Sequence, residues 1–453
     1  MNNARVAVLG LIACCIAQAG FASPLVVHEW GTFTSFQDAN GATIAGINVD
    51  DEPVPWFVHR LGVAEPFGVA SLPAAWSQGA PRCHADVTMR LETPVLYFYP
   101  PADWEPTSFD VQATFAGGWL TEYYPAAKAE RAGFPASLDA QARGSLTWKQ
   151  VRIDPDSKAL MRNTDWRVWQ APRQTGASVV FVPELKEAEK YLFYRGVGHM
   201  DAPLTIRTRE DGFDITPGGG DPRLASLPRV WLIEVLPDAR VRYQALTSSS
   251  ATLHAPAFPP VPLGMASSLD NLRREMTDAL TARGLYADEA AAMLETWKLS
   301  YFQSEGLRAF FLLPQTWTDI RLPLSISTPA NVTRVMVGRV ELVSAHQRAQ
   351  LAKLLAMPDG SIPAVPLYVQ DRRVIDRGLA TKGPLSRLYA SSGREVPESV
   401  RAYESLGRFR DALLAHEWKI TADGQQRARL QRVMQAYSAC LSDLTPAKLT
   451  TER

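Results

Sequence analysis

His28 and Glu29 stand side by side near the start of the chain, with Trp30 and Gly31 directly after them. An imidazole next to a carboxylate can move a proton or hold a divalent cation. More donors follow within the first hundred residues: His59, the Cys83-His84 pair and Glu92, with Asn48, Asp50 and Glu52 at alternate positions. Metal centres gather ligands from separate loops and strand ends. His28, Glu29, His59 and His84 are therefore the expected donors, and a divalent metal the cofactor they would hold. Their spacing matches neither HExxH nor a calcium loop. The same residues have a structural use, with His28 and Glu29 bonded to backbone and arginine partners where a strand begins.

Carboxylates offer a second chemistry. Glu29, Glu92 and Glu305 are the candidate catalytic acids, with Glu122 beside Trp119, Tyr123 and Tyr124. A glycosidase needs two carboxyls about 5–10 Å apart. The alternative is pairing with Arg90, Arg308 or a backbone cap. Aromatics offer a third. Trp30, Trp119, Tyr123 and Tyr124 are candidate ligand-binding rings, since such side chains present rigid area with a polar handle; core packing is their other use. No GxSxG, Walker loop or dinucleotide fingerprint occurs. Cys83 beside His84 is no nucleophile pair, because neighbours on a strand face opposite ways.

These residues need strands to position them. In the stretch after Gly31, Thr32, Thr34 and Phe36 share one face and Phe33 and Ser35 the other. Phe109 to Phe115 alternates apolar and polar, and Val230–Val235 followed by Val241, Tyr243 and Ala245 reads as a hairpin. Short strands between Pro and Gly turns predict a β-sandwich-like region over 23–246. Residues 247–265, rich in Ser, Ala and Pro, read as a linker. An α+β region over 266–453 follows. It opens with an amphipathic helix carrying Leu269, Leu272, Met276 and Leu280. A helix from Asp288 to Tyr301 comes next, then strands at 309–313, 322–326 and 332–343, the last with a bulge at Gly338. Two long helices close it, one begun by Pro397 and one from Gly424 to Leu441. The expected fold class is α+β.

Residues 1–22 read as a signal peptide: Arg5, an apolar run from Val6 to Ala17, and a small-x-small site at Gly20-Phe21-Ala22. A lipoprotein box ending at Cys14 is the rival. No later apolar run is long enough to span a bilayer, so no transmembrane anchor remains after cleavage. Cys83 and Cys440 are then the mature cysteines, and export predicts that they form a disulfide. Lys+Arg and Asp+Glu are both 47, which gives no field to steer the chain toward nucleic acid.

Three passages resemble a set of exported bacterial proteins that open with an HEWGTFT motif: His28-Glu29-Trp30-Gly31-Thr32-Phe33-Thr34, Glu92 to Tyr99, and Trp297 to Arg308 with Val335 to Glu341. The resemblance touches both halves. It implies export and an intact two-part layout, and assigns no activity or catalytic residue. The expected function is that of an exported, soluble cell-envelope or extracellular binding protein, periplasmic or secreted, with a glycan or another envelope component as partner. The alternative is a metal-assisted hydrolase using the His28/Glu29 region.

Overall fold

The structure is a computed structural model. It describes residues 23–49, 54–61, 76–77, 79–218, 222–224, 229–247, 252–258, 269–362, 384–438 and 440. The signal segment 1–22, Asp50, Glu52 and most of 247–265 lie outside the described residues.

Leu25–Gln37 is a 13-residue strand, buried along nearly its whole length. A strand covered on both faces belongs at the centre of a sheet, and this one sits there. It runs antiparallel to Met89–Tyr99, with His28 opposite Tyr97 and Glu29 opposite Leu96. On its other edge it runs parallel to Ala330–Leu342, with Glu29 opposite Arg334. Among the described residues the sheet has 15 strands. Outward past Met89–Tyr99 come Leu192–Gly198, Gly118–Tyr124, Arg143–Ile153, Val180–Val182 and Glu187–Glu189. Outward past Ala330–Leu342 come Gly306–Leu312, Val230–Val235 and Val241–Leu246. Two strands from beyond 247–265 thus lie between strands that precede it in one hydrogen-bonded sheet, and the expected hairpin, Val235 opposite Val241, docks on Gly306–Leu312.

Helix and sheet are both present in quantity, as the α+β expectation requires. The Ser108–Ala116 strand alternates buried and exposed residues as its sequence does. It pairs with Arg143–Ile153 and lies off the main path of the sheet. Leu25, Val27 and Phe33 meet Phe109, Val111 and Trp148 from these strands in one core cluster. On the other face, Trp30, Val95 and Tyr97 pack beneath helices Leu269–Ala282 and Ala287–Thr296. Phe36 belongs to a third cluster, built with the C-terminal helices.

Several local details differ from the sequence reading. The helix expected from Asp288 to Tyr301 ends at Thr296, and a π-turn covers Leu299–Gln303. Arg308 holds that turn by donating to the carbonyls of Ser300, Tyr301, Ser304 and Glu305. The helix begun at Pro397 stops at Glu404; Gly407, at φ 86°, turns the chain before Arg410–Ile420 begins. Gly338 makes no bulge, since its register runs unbroken to both neighbours. A Cβ there would lie 2.2 Å from the Phe311 ring, so the glycine makes room for a phenyl group. Opposite Gly31 the sheet does break step. Thr93 takes φ 47° there, and a Gly31 Cβ would sit 3.0 Å from Pro94 Cα. The approach that Gly31 permits is that of another backbone.

Candidate functional site

Strand geometry sends His28 and Glu29 to opposite faces of the central strand. Glu29 is fully buried. Its register partner Arg334 donates Nε to Oε2 at 2.5 Å, and the Tyr194 hydroxyl donates to Oε1. Arg334 continues to Asp319 at 3.0 Å. Burial alone would lower the Arg334 guanidinium; the Glu29 carboxylate beside it raises it above its ordinary value. Burial and then the same carboxylate push the Tyr194 phenol well up.

His28 turns to the helical face. Its Nδ1 lies 2.8 Å from Glu289 Oε2. The other oxygen of Glu289 accepts from the Tyr99 hydroxyl at 2.9 Å. Glu289 also accepts the Tyr286 backbone N–H at 2.7 Å, as the third helical residue of a capping arrangement. A carboxylate facing Nδ1 can only accept, so the hydrogen bond calls for a proton on that nitrogen. Among the described residues no hydrogen bond reaches Nε2. The Tyr286 ring, 44% exposed, lies 4.6 Å from the imidazole and the Tyr99 ring 5.4 Å. This is the geometry of a general base oriented by a carboxylate.

The remaining predicted residues go elsewhere. His59 bonds Glu187 at 2.9 Å, and Glu187 also accepts from the Ala126 N–H. His84 bonds the Pro135 carbonyl and its own turn at Asp86. The four expected metal donors therefore have four different surroundings. Glu122 binds Arg60 at 2.8 Å and Arg195 on its other oxygen. Burial would raise this carboxyl, yet the two guanidiniums hold it below the usual range. Glu92 meets Thr34 at 2.9 Å, Arg90 at 3.2 Å and Arg408. Together with Arg308, Arg339 and Glu341 these form a buried lattice, in which burial lowers Arg408 to about 9. Glu305, half-buried, faces His346 at 3.2 Å, and burial raises its carboxyl.

Among the predicted rings, Trp30, Trp119 and Tyr124 are buried and Tyr123 is partly buried against His59, 5.5 Å away. Among the described residues, the large aromatic ring most open to solvent is Trp56, 70% exposed. It stands on a turn beside Phe57, which is buried against Tyr124 and Trp169. Arg162 lies over the indole at 5.8 Å.

No family model matches the chain, and no curated protein matches it. The chemistry therefore rests on the geometry. The Trp56–Arg162 pair is open to solvent, whereas His28 and Glu289 are buried beneath the half-exposed Tyr286 ring. Sequence reasoning had named His28 and missed Glu289, Tyr99 and Trp56. The Tyr286-to-Glu289 spacing is a helix-start signal, readable as a cap, which says nothing of a partner 261 residues away. Cys83 and Cys440 lie at disulfide distance, with Cα atoms 5.7 Å apart, as expected. Among the described residues, no helix is long and apolar enough to cross a membrane.

Proposed function

We propose that this is an exported cell-envelope or extracellular binding protein whose ligand is a glycan, held by Trp56 and Arg162. The exposed indole carries the reading. Large aromatics are mostly buried, and this one is held out on a turn whose other ring, Phe57, is anchored in the core. A flat indole suits the C–H face of a sugar ring, and the neighbouring guanidinium supplies donors for hydroxyl or carboxylate groups. Export draws support from Ser23. Cleavage after Ala22 makes its nitrogen the new terminus, and that nitrogen lies 3.1 Å from the Asp103 carboxylate. The sandwich-like description of 23–246 and kinship with the HEWGTFT-opening set belong to the same proposal. The first draws on the packing of Ser108–Ala116 against the central strands, the second on the central place of that motif in the sheet.

The test is a fluorescence titration of mature protein with soluble fragments of envelope polysaccharide. Trp56→Ala is expected to weaken binding tenfold or more, about 1.4 kcal/mol, with an unchanged melting temperature. Equal binding by the variant, or no saturable binding to any envelope glycan, overturns the proposal.

A hydrolase using the His28 region is the second reading, favoured by the placement of His28 Nδ1 on Glu289. It predicts hydrolysis of activated esters that disappears in His28→Ala. Its metal-assisted form further requires bound metal in purified protein, lost in the same variant.

A further inference from the structure

Two sulfurs and a carboxylate oxygen, from Cys83, Cys440 and Asp411, come within 4.8 Å of one another. Among the described residues, this is the one group of three or more His, Cys, Asp or Glu side chains placed closely enough to share an ion. The three come from separate, well-fixed pieces of chain. Cys83 takes a left-handed conformation, φ 52°, and its N–H is bonded to the Asn48 carbonyl at 2.8 Å. The Asn48 side chain is in turn tied to the carbonyls of Ser77 and Pro81. Asp411 lies in the first turn of Arg410–Ile420, and one of its oxygens accepts from the Tyr403 hydroxyl at 2.6 Å. Cys440 follows Gly424–Tyr437, its N–H bonded to Ser438 Oγ at 3.0 Å.

A disulfide is neutral and weakly polar, and has no use for a carboxylate. Asp411 is nevertheless buried against it, 9% exposed, where desolvation is costly unless the charge is matched. Tyr403, the helix start and the neighbouring buried guanidinium of Arg410 answer that charge in the oxidised chain. The other use of two sulfurs and a carboxylate at this spacing is as a ligand set, since thiolates with an oxygen donor suit a borderline-soft divalent ion.

We propose that Cys83, Asp411 and Cys440 form a redox-gated site for a thiophilic divalent cation of the zinc class. A dithiol reductant gives two electrons and two protons to the bridge and is itself oxidised to a disulfide, leaving two thiols beside Asp411. The cation displaces both thiol protons to solvent and binds two thiolates and the carboxylate. Three protein ligands leave a fourth position for water, the pattern of an open zinc site. The site is independent of the glycan reading, since Trp56 plays no part in it.

The test uses the full mature chain, oxidised or reduced with a dithiol that is then removed without air. Zinc is titrated against a chromogenic chelator, and circular dichroism follows the fold. The reduced protein is expected to bind one zinc per chain, to release two protons on doing so, and to give a thiolate-to-metal ultraviolet band with cadmium. The oxidised protein is expected to bind none. Asp411→Asn, which keeps the bridge, is expected to bind at least tenfold more weakly when reduced, and Cys83→Ser with Cys440→Ser not at all. The proposal is overturned by equal binding in both redox states, by full affinity in Asp411→Asn, or by a reduced chain that binds no zinc, whether folded or left unfolded by zinc addition.

Discussion

Glu29 and Arg334 face each other across the centre of the sheet, both out of reach of solvent. Removing one charge of such a pair strands the other in a medium that solvates it poorly. Glu29→Gln is expected to lower unfolding stability by about 3–5 kcal/mol, read as a fall in denaturant midpoint. A variant of wild-type stability would show that the Glu29–Arg334 pair does not hold the sheet. Among the described carboxyls held low in the folded chain, Glu122 is the fully buried one and contributes to the acid limb of stability. Its carboxyl is held low in the folded chain by Arg195 and Arg60 against burial. Its contribution is therefore complete above the unfolded value, about 4.3, and is lost as pH falls through the lower folded value. Glu122→Gln is expected to flatten that part of a stability-against-pH curve. What was legible at this scale was the need for partners: an ionisable pair set directly after Val26 and Val27 must be matched. Their identities were not, because Arg334 and Glu289 are 305 and 261 residues away, and one sequence holds no sign of which distant cation or acid meets which strand position.

The strands and their faces were largely readable. Thr32 and Phe36 do turn from Phe33: Thr32 meets Tyr301 and Phe36 packs on Phe409, while Phe33 joins the opposite core. The amphipathic helix shows the expected Leu272, Met276 and Leu280 as its buried residues. Periodicity reports a face whatever lies against it. It does not report what that neighbour requires, which is why Gly338 read as a bulge. Its role depends on Phe311 in the adjacent strand, and no local pattern encodes a phenyl ring across a ladder. Gly338→Ala is expected to cost about 1–3 kcal/mol through overpacking, visible as a lower melting temperature. A neutral substitution would mean that Phe311 has room to move. The π-turn was missed for a related reason, since the residue that caps its carbonyls, Arg308, lies on the following strand.

At the scale of the molecule, composition marks a change near 247–265, yet hydrogen bonds cross it: Val230–Val235 lies beside Gly306–Leu312, and Leu25–Gln37 beside Ala330–Leu342. The Cys83–Cys440 bridge, with a sequence separation of 357, ties the early chain to its last described turn. Denaturation followed by tryptophan fluorescence and by circular dichroism is expected to give coincident curves, because the first half cannot open without breaking the sheet that the second completes. Two separate transitions would show that the parts unfold on their own. The parallel pairing of the first strand has a kinetic meaning as well. The segment that becomes the middle of the sheet is synthesised long before the strand it pairs with in parallel. Leu25 then waits for Ala330. Contacts so distant along the chain form slowly, so until Ala330–Leu342 is made the central strand has one edge with its hydrogen bonds unfilled, the kind of edge on which a growing chain meets its neighbours.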